Sequence, residues 1–205
     1  MTWVKTVPYK EATGRLKKLY DRVKGPDNNV DNIMMAHSLR PATMEGHMAL
    51  YKNVLHHSAN KVPKWVLETI GVYVSFLNHC YYCVEHHFEG LKTLLNNDHK
   101  ATSIREAIEQ ETLPDVFEGS ELAALSYAKM LTKTPHTIGE TQISGLRISG
   151  LDDGEILEIN QVVSYFNYAN RTVLGLGIIT EGDILGLSPN ESDDENNWSH
   201  KKAKY

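Results

Sequence analysis

The chain has 205 residues, 26 of them acidic and 21 basic, for a formal charge of −5; that is the length of one domain, with no basic stripe for a nucleic-acid backbone. Its most apolar stretch, residues 65–77, is broken by Glu68 and Gly71 and is too short to span a bilayer, so neither nucleic acid nor membrane is expected as a partner. Two cysteines, and an N-terminus without a long apolar core, argue against a secreted disulfide framework and point to the cytoplasm.

Hydrophobic residues make up 41% of the chain, enough to bury a core without disulfide staples. Strand signals are weak throughout, and the apolar residues recur at helical spacing. Residues 8–24 read as a helix with Leu16, Leu19, Tyr20 and Val23 on one face, followed by the turn-rich connector Gly25-Pro-Asp-Asn-Asn. Pro41 opens a second helix through about Ser58, with Met44, Met48, Tyr51 and Leu55 as core or subunit interface. Pro63 opens a third to about Leu77, and Asn78 is the expected N-cap of a fourth, from His79 to about Leu95. Ser103-Ile-Arg-Glu106 and Asp152-Asp-Gly-Glu155 match the capping-box spacing and predict helices near 103–111 and 153–174. Residues 119–133 and, more weakly, 139–148 lie between them as further helices, and Leu174 to Gly182 is either a frayed helix end or a turn. The expectation is one all-α domain over residues 1–188, with a polar, mobile tail over 189–205.

Cys80 and Cys83 stand three positions apart. On one helix, Cys83 lies at about 300° and His87 at about 340° from Cys80, so the three share an arc of roughly 60°. His86 falls at about 240° and Glu85 at about 140°, so His87 is the histidine expected to serve the cysteines. With Asn78 as cap, Cys80 sits in the first turn, where unpaired amides and the helix dipole favour a thiolate, and it is expected to be the more accessible thiol. Such a pair can close a disulfide and reopen it by exchange, and an imidazole one turn later can take a proton from Cys83. Glu68 lies in the preceding helix, from which it can return to orient His87 or accept the relayed proton. Taken alone, these residues leave three readings open: a redox pair, a zinc site and plain packing. Zinc would need a further ligand from His56, His57 or His79, and none stands at finger-like spacing; haem attachment is excluded because Val84 follows Cys83.

Glu68, eleven residues, Cys80-Tyr-Tyr-Cys83, three residues and His87 together resemble the signature of the alkylhydroperoxidase D-like proteins of the carboxymuconolactone decarboxylase superfamily. Ser38-Leu-Arg-Pro41, Asn78-His-Cys-Tyr-Tyr-Cys and Tyr165-Phe-Asn-Tyr-Ala-Asn-Arg171 resemble its peroxidase-related branch, and the likeness spans about residues 8–187. It implies an all-helical fold of about seven to nine helices, homo-oligomeric assembly, and peroxide reduction by thiols without metal, haem or other cofactor. By the same resemblance Cys83 is the peroxidatic cysteine, Cys80 resolves it, and Glu68 and His87 relay protons. The substrate is then a hydroperoxide and the reductant an external dithiol, a lipoyl protein or a thioredoxin-like one. Tyr82 stands where alkylhydroperoxidase D carries a histidine, and a phenol is a poor base at neutral pH. Decarboxylation or lactone isomerisation through Glu68 and His87, and a zinc-binding or redox-sensing helical module, are the alternatives. Outside the motif, His136 could line a pocket but reads more simply as an exposed loop histidine, and Asn170-Arg171 could bind an anion or bridge subunits but reads more simply as an ordinary helix-end ion pair.

The choice of attacking sulfur sets two physical arguments against each other. The helix dipole favours Cys80 as the more acidic thiol, whereas His87 is the i+4 neighbour of Cys83. Peroxide cleavage also needs a proton delivered to the leaving oxygen, which a dipole cannot supply and His87, held by Glu68, can, so Cys83 is expected to attack.

Overall fold

Helix Lys64–Leu77 is buried on nearly every face: every residue from Val66 to Ser75 is inside, Glu68 included. A helix that is apolar all round belongs at the centre of a bundle, and the other elements wrap it. The structure, a computed structural model, describes residues 2–187, 198 and 200. Among these are nine α-helices and no strand: α1 (Gly14–Val23), α2 (Asn32–Ala36), α3 (Pro41–His56), α4 (Lys64–Leu77), α5 (Tyr81–Leu95), α6 (Asp98–Glu109), α7 (Gly119–Lys133), α8 (Glu140–Ile148) and α9 (Asp153–Leu176). The central helix α4 packs against α5, α7 and α9, with α3 and α6 filling the remaining sides. A smaller apolar cluster joins Leu16, Leu19, Tyr20 and Val23 of α1 to Met44 and Met48 of α3.

Local chemistry explains the boundaries. Asp152 and Glu155 form the expected reciprocal cap at the start of α9: the Glu155 amide donates to Asp152 Oδ1 at 2.9 Å, and the Asp152 amide to Glu155 Oε2 at 2.8 Å. Gly177, at φ 62°, ends that helix in the left-handed conformation. Three expectations need correction, and one helix was not expected. The helix predicted over 8–24 is a single turn at Tyr9–Glu11 and then α1, because Gly14 sits at φ 54° and interrupts the run. The helix predicted at 103 begins at Asp98. Asn97 caps it by accepting from the Lys100 amide at 2.9 Å, while the Ser103 hydroxyl bonds back to the His99 carbonyl inside the helix. Helix α2 carried no recognised signal. Asn78 does not cap α5: it closes α4, and His79 at φ 57° turns the chain so that α5 begins one residue after Cys80.

Most of the tail expected from residue 189 lies outside the described residues. Of the two positions described there, Trp198 is buried beneath the Arg22 guanidinium, and His200 Nε2 bonds the Val23 carbonyl at 2.7 Å.

Candidate active site

The α4–α5 junction builds the thiol pair. The Cys80 amide donates to the Ser75 carbonyl at 2.9 Å, which folds the turn under α4 and makes Cys80 the N-cap of α5. Both cysteines are free thiols. The expectation that Cys80 is the more accessible is wrong: it is 0% exposed and Cys83 3%, and only Cys83 lines the neighbouring cavity. The reason lies outside the motif. Asn170, a fully buried residue of α9, holds Asn78 and Ser75 at 3.0 Å each and closes the space behind Cys80. Nor is Asn170-Arg171 a surface ion pair, since Arg171 donates to the carbonyl and side-chain oxygens of Asn167 at 2.8 Å.

The two thiols perturb one another in opposite directions. Hydrogen bonding from the Cys83 thiol, then from the Cys83 amide and Asn170, holds the Cys80 thiol below its ordinary range against the opposing effect of burial. The same thiol–thiol bond, followed by burial, pushes Cys83 well up. Cys80 is therefore the more acidic thiol of the pair and the better leaving group.

Glu68 meets His87. Glu68 is 1% exposed, and its Oε2 lies 2.8 Å from His87 Nδ1. An Nδ1–H donated to that carboxylate leaves Nε2 as the free, basic nitrogen. The edge of Phe166 holds the His87 ring in place, with centroids 4.6 Å apart and planes at 82°. Phe166 itself lies over Gly71 of α4, where any Cβ would run into its ring.

Tyr82 points elsewhere. Its hydroxyl donates to Asp183 Oδ2 at 2.6 Å and accepts from the Ile33 amide at 3.3 Å, with no bond to His87 or to either thiol. Asp183 also receives the Asn32 amide and stands 3.3 Å from His86 Nε2. It belongs to the segment after α9, which the Asn32 side chain anchors through the carbonyls of Ile179 and Glu181. Beside it, burial pushes the Asp31 carboxyl up to about 6.

One cavity joins these groups: Cys83, His87 and Glu68 form one part of its lining, and His86, Tyr82 and Asp31 another. His47, Tyr51 and Tyr165 complete it beside the apolar side chains of Met34 and Met48. Burial holds the His47 ring down to about 3 and keeps the phenols of Tyr51 and Tyr165 protonated, so this wall is uncharged. Among the described residues no three His, Cys, Asp or Glu side chains are placed to hold a metal ion. His136 is exposed in a turn away from the cavity. Sequence reasoning missed His86, Asp31, Asp183 and His47. Only His86 left a signal, as the i+3 neighbour of Cys83; the others reach the cavity from distant segments.

No family model and no curated protein matches the chain. Solved structures do. One is an uncharacterized peroxidase-related protein with an alkylhydroperoxidase AhpD core from Ralstonia eutropha JMP134, 20% identical over 90% of this chain and 96% of that one, with a TM-score of 0.76. A second peroxidase-related protein, from Silicibacter sp. TM1040, is 20% identical over 87% and 91%, with a TM-score of 0.75. A third is the debrominase Bmp8, as a cysteine-to-alanine form in complex with 2,3,4-tribromopyrrole, 18% identical over 88% and 92%, with a TM-score of 0.69. The chain therefore has the all-α alkylhydroperoxidase D-like fold. No described helix is long and apolar enough to cross a membrane.

Proposed function

We propose that the protein is a thiol-dependent peroxidase and disulfide reductase with an antioxidant role in the cytoplasm, working as a homo-oligomer. The observation that carries this reading is the meeting of Cys83 with a carboxylate-held imidazole at one cavity, His87 against Glu68 at 2.8 Å. His87 Nε2 takes the Cys83 proton, and the thiolate attacks the terminal oxygen of a hydroperoxide. The O–O bond breaks, an alcohol leaves, and Cys83 becomes a sulfenic acid. Cys80 then attacks that sulfur, expelling water and closing the disulfide. An external dithiol, from a lipoyl or thioredoxin-like protein, restores both thiols. Because only Cys83 borders the cavity, the dithiol attacks Cys83 and Cys80 departs as the stabilised thiolate. This reverses the order of access expected from the motif alone.

The test is the intact mass of reduced protein after one equivalent of cumene hydroperoxide. A loss of about 2 Da, absent in Cys83→Ser, supports the reading. Two unchanged thiols would overturn it, and debromination of a bromopyrrole by the same sample would favour the chemistry of the fold's debrominase instead.

A further inference from the structure

Helix α5 carries two adjacent histidines, and the peroxidase cycle above uses only one. His87 is the i+4 neighbour of Cys83 and His86 the i+3 neighbour, so both stand one turn beyond the reacting sulfur on adjoining arcs of the helix. Both line the same cavity as Cys83. Each is paired with a carboxylate whose side chain is 1% exposed: His87 with Glu68 at 2.8 Å, and His86 with Asp183 at 3.3 Å. The carboxylates come from opposite directions, Glu68 from the central helix and Asp183 from the segment beyond α9. Tyr82 fixes the second pair, because its hydroxyl bonds Asp183 while its ring covers His86, with centroids 4.5 Å apart.

We infer that His86, held by Asp183, is a second catalytic imidazole, the acid that protonates the leaving oxygen of the hydroperoxide. The inference rests on the thiol peroxidase reading. A single imidazole must first take the thiol proton and then swing to the departing oxygen. Two imidazoles one turn beyond the sulfur divide the work, one taking the thiol proton and the other giving a proton to the departing oxygen. The groups facing His86 suit the second part: Asp183 and Asp31 are carboxyls, Tyr82 is a neutral phenol, and His200 lies on the same wall. The step balances. The Cys83 proton passes to His87, sulfur gains the terminal OH as the O–O bond breaks, and the alkoxide takes the His86 proton and leaves as an alcohol. His87 then returns its proton to solvent, and His86 takes one back. Tyr82, set where alkylhydroperoxidase D carries a histidine, thus acts on the reaction by positioning a neighbouring one.

The leaving group provides the test. An alkyl hydroperoxide expels an alkoxide that must be protonated, whereas a peracid expels a stable carboxylate that needs no proton. The first oxidation of the full-length reduced protein is followed by stopped flow, with sulfenic acid trapping, using cumene hydroperoxide and meta-chloroperbenzoic acid on wild type, His86→Gln and His86→Asn. Loss of the acid is expected to slow the cumene hydroperoxide reaction by about 10²-fold, and the peracid reaction far less. Asp183→Asn should lean the same way with a smaller effect. Equal losses with both oxidants would reduce His86 to a structural part, and no loss would remove it from the reaction; either overturns the inference and leaves the peroxidase reading standing. A wild type whose thiols react with neither oxidant overturns both.

Discussion

His47 on α3 should set the acid limit of this fold. Its ring is 3% exposed, faces His37 at 5.2 Å and shares a 3.2 Å hydrogen bond with the Tyr165 hydroxyl. Burial, with added repulsion from His37 and His87, lowers it from 6.5 to about 3. The unfolded chain therefore binds this proton first. The stability contributed by keeping the ring neutral is whole above about pH 6.5 and drains away as pH falls toward about 3. A drop of about 3.5 units at about 1.4 kcal/mol each amounts to about 5 kcal/mol, a third or more of the stability of an ordinary domain. His47→Gln keeps an amide to meet Tyr165 and removes the titration. Urea unfolding of both proteins across a pH series should give a fixed difference above about pH 7.5, set by the exchange of side chains. Below about pH 6.5 that difference should move in favour of the variant by up to about 1.4 kcal/mol per unit. Parallel stability curves would refute the reasoning.

Asp31 should act with the opposite sign. Its carboxyl is raised to about 6 by burial, so it favours the fold at low pH and loses that contribution as pH rises; Asp31→Asn should stabilise by up to about 3 kcal/mol near pH 8 and by little near pH 3.5, read by the same titration. Gly71→Ala drives a methyl into Phe166, the ring that holds His87, and should lower stability by about 1–3 kcal/mol while slowing peroxide reduction, seen by thermal melts and stopped flow together. Glu68→Gln removes the charge that holds His87 and should slow thiol oxidation by about 10²-fold without unfolding the protein, checked by circular dichroism alongside the rate. Cys80→Ser should still form a trappable sulfenic acid and Cys83→Ser should not; a sulfenic acid on Cys80 formed at the wild-type rate would reverse the assignment.

What the sequence makes legible here is what neighbours in the chain decide. The Asp152–Glu155 cap, the α7 boundaries and the stripe on α1 follow from spacing, because the forces involved act within one or two turns. The Glu68–His87 contact was within reach for the same reason, the two residues lying on consecutive helices. The start of α5 was not: Asn78 has the chemistry of an N-cap, but its amide bonds Asn167 and Asn170 of a helix some ninety residues on. That tertiary bond also decides which thiol faces the cavity, so the accessibility of Cys80 could not be read from its place in the motif. His86 lies off the stripe at its angle from Cys80, yet from Cys83 it is an i+3 neighbour.

The two imidazole–carboxylate pairs close loops of very different length. Glu68 and His87 are 19 residues apart, within a single helical hairpin, whereas His86 and Asp183 are 97 apart. On chain statistics alone the longer loop costs about 1.5 kcal/mol more to close, and contacts between distant segments form later than those within a hairpin. A folding chain therefore brings its thiol and base together first and gains the second carboxylate only when the segment after α9 docks. If the proposed cycle holds, a half-folded chain gives the sulfur a proton acceptor but lacks the finished wall from which oxygen would leave. On the thiol peroxidase reading proposed above, full reactivity waits for the segment after α9 to dock.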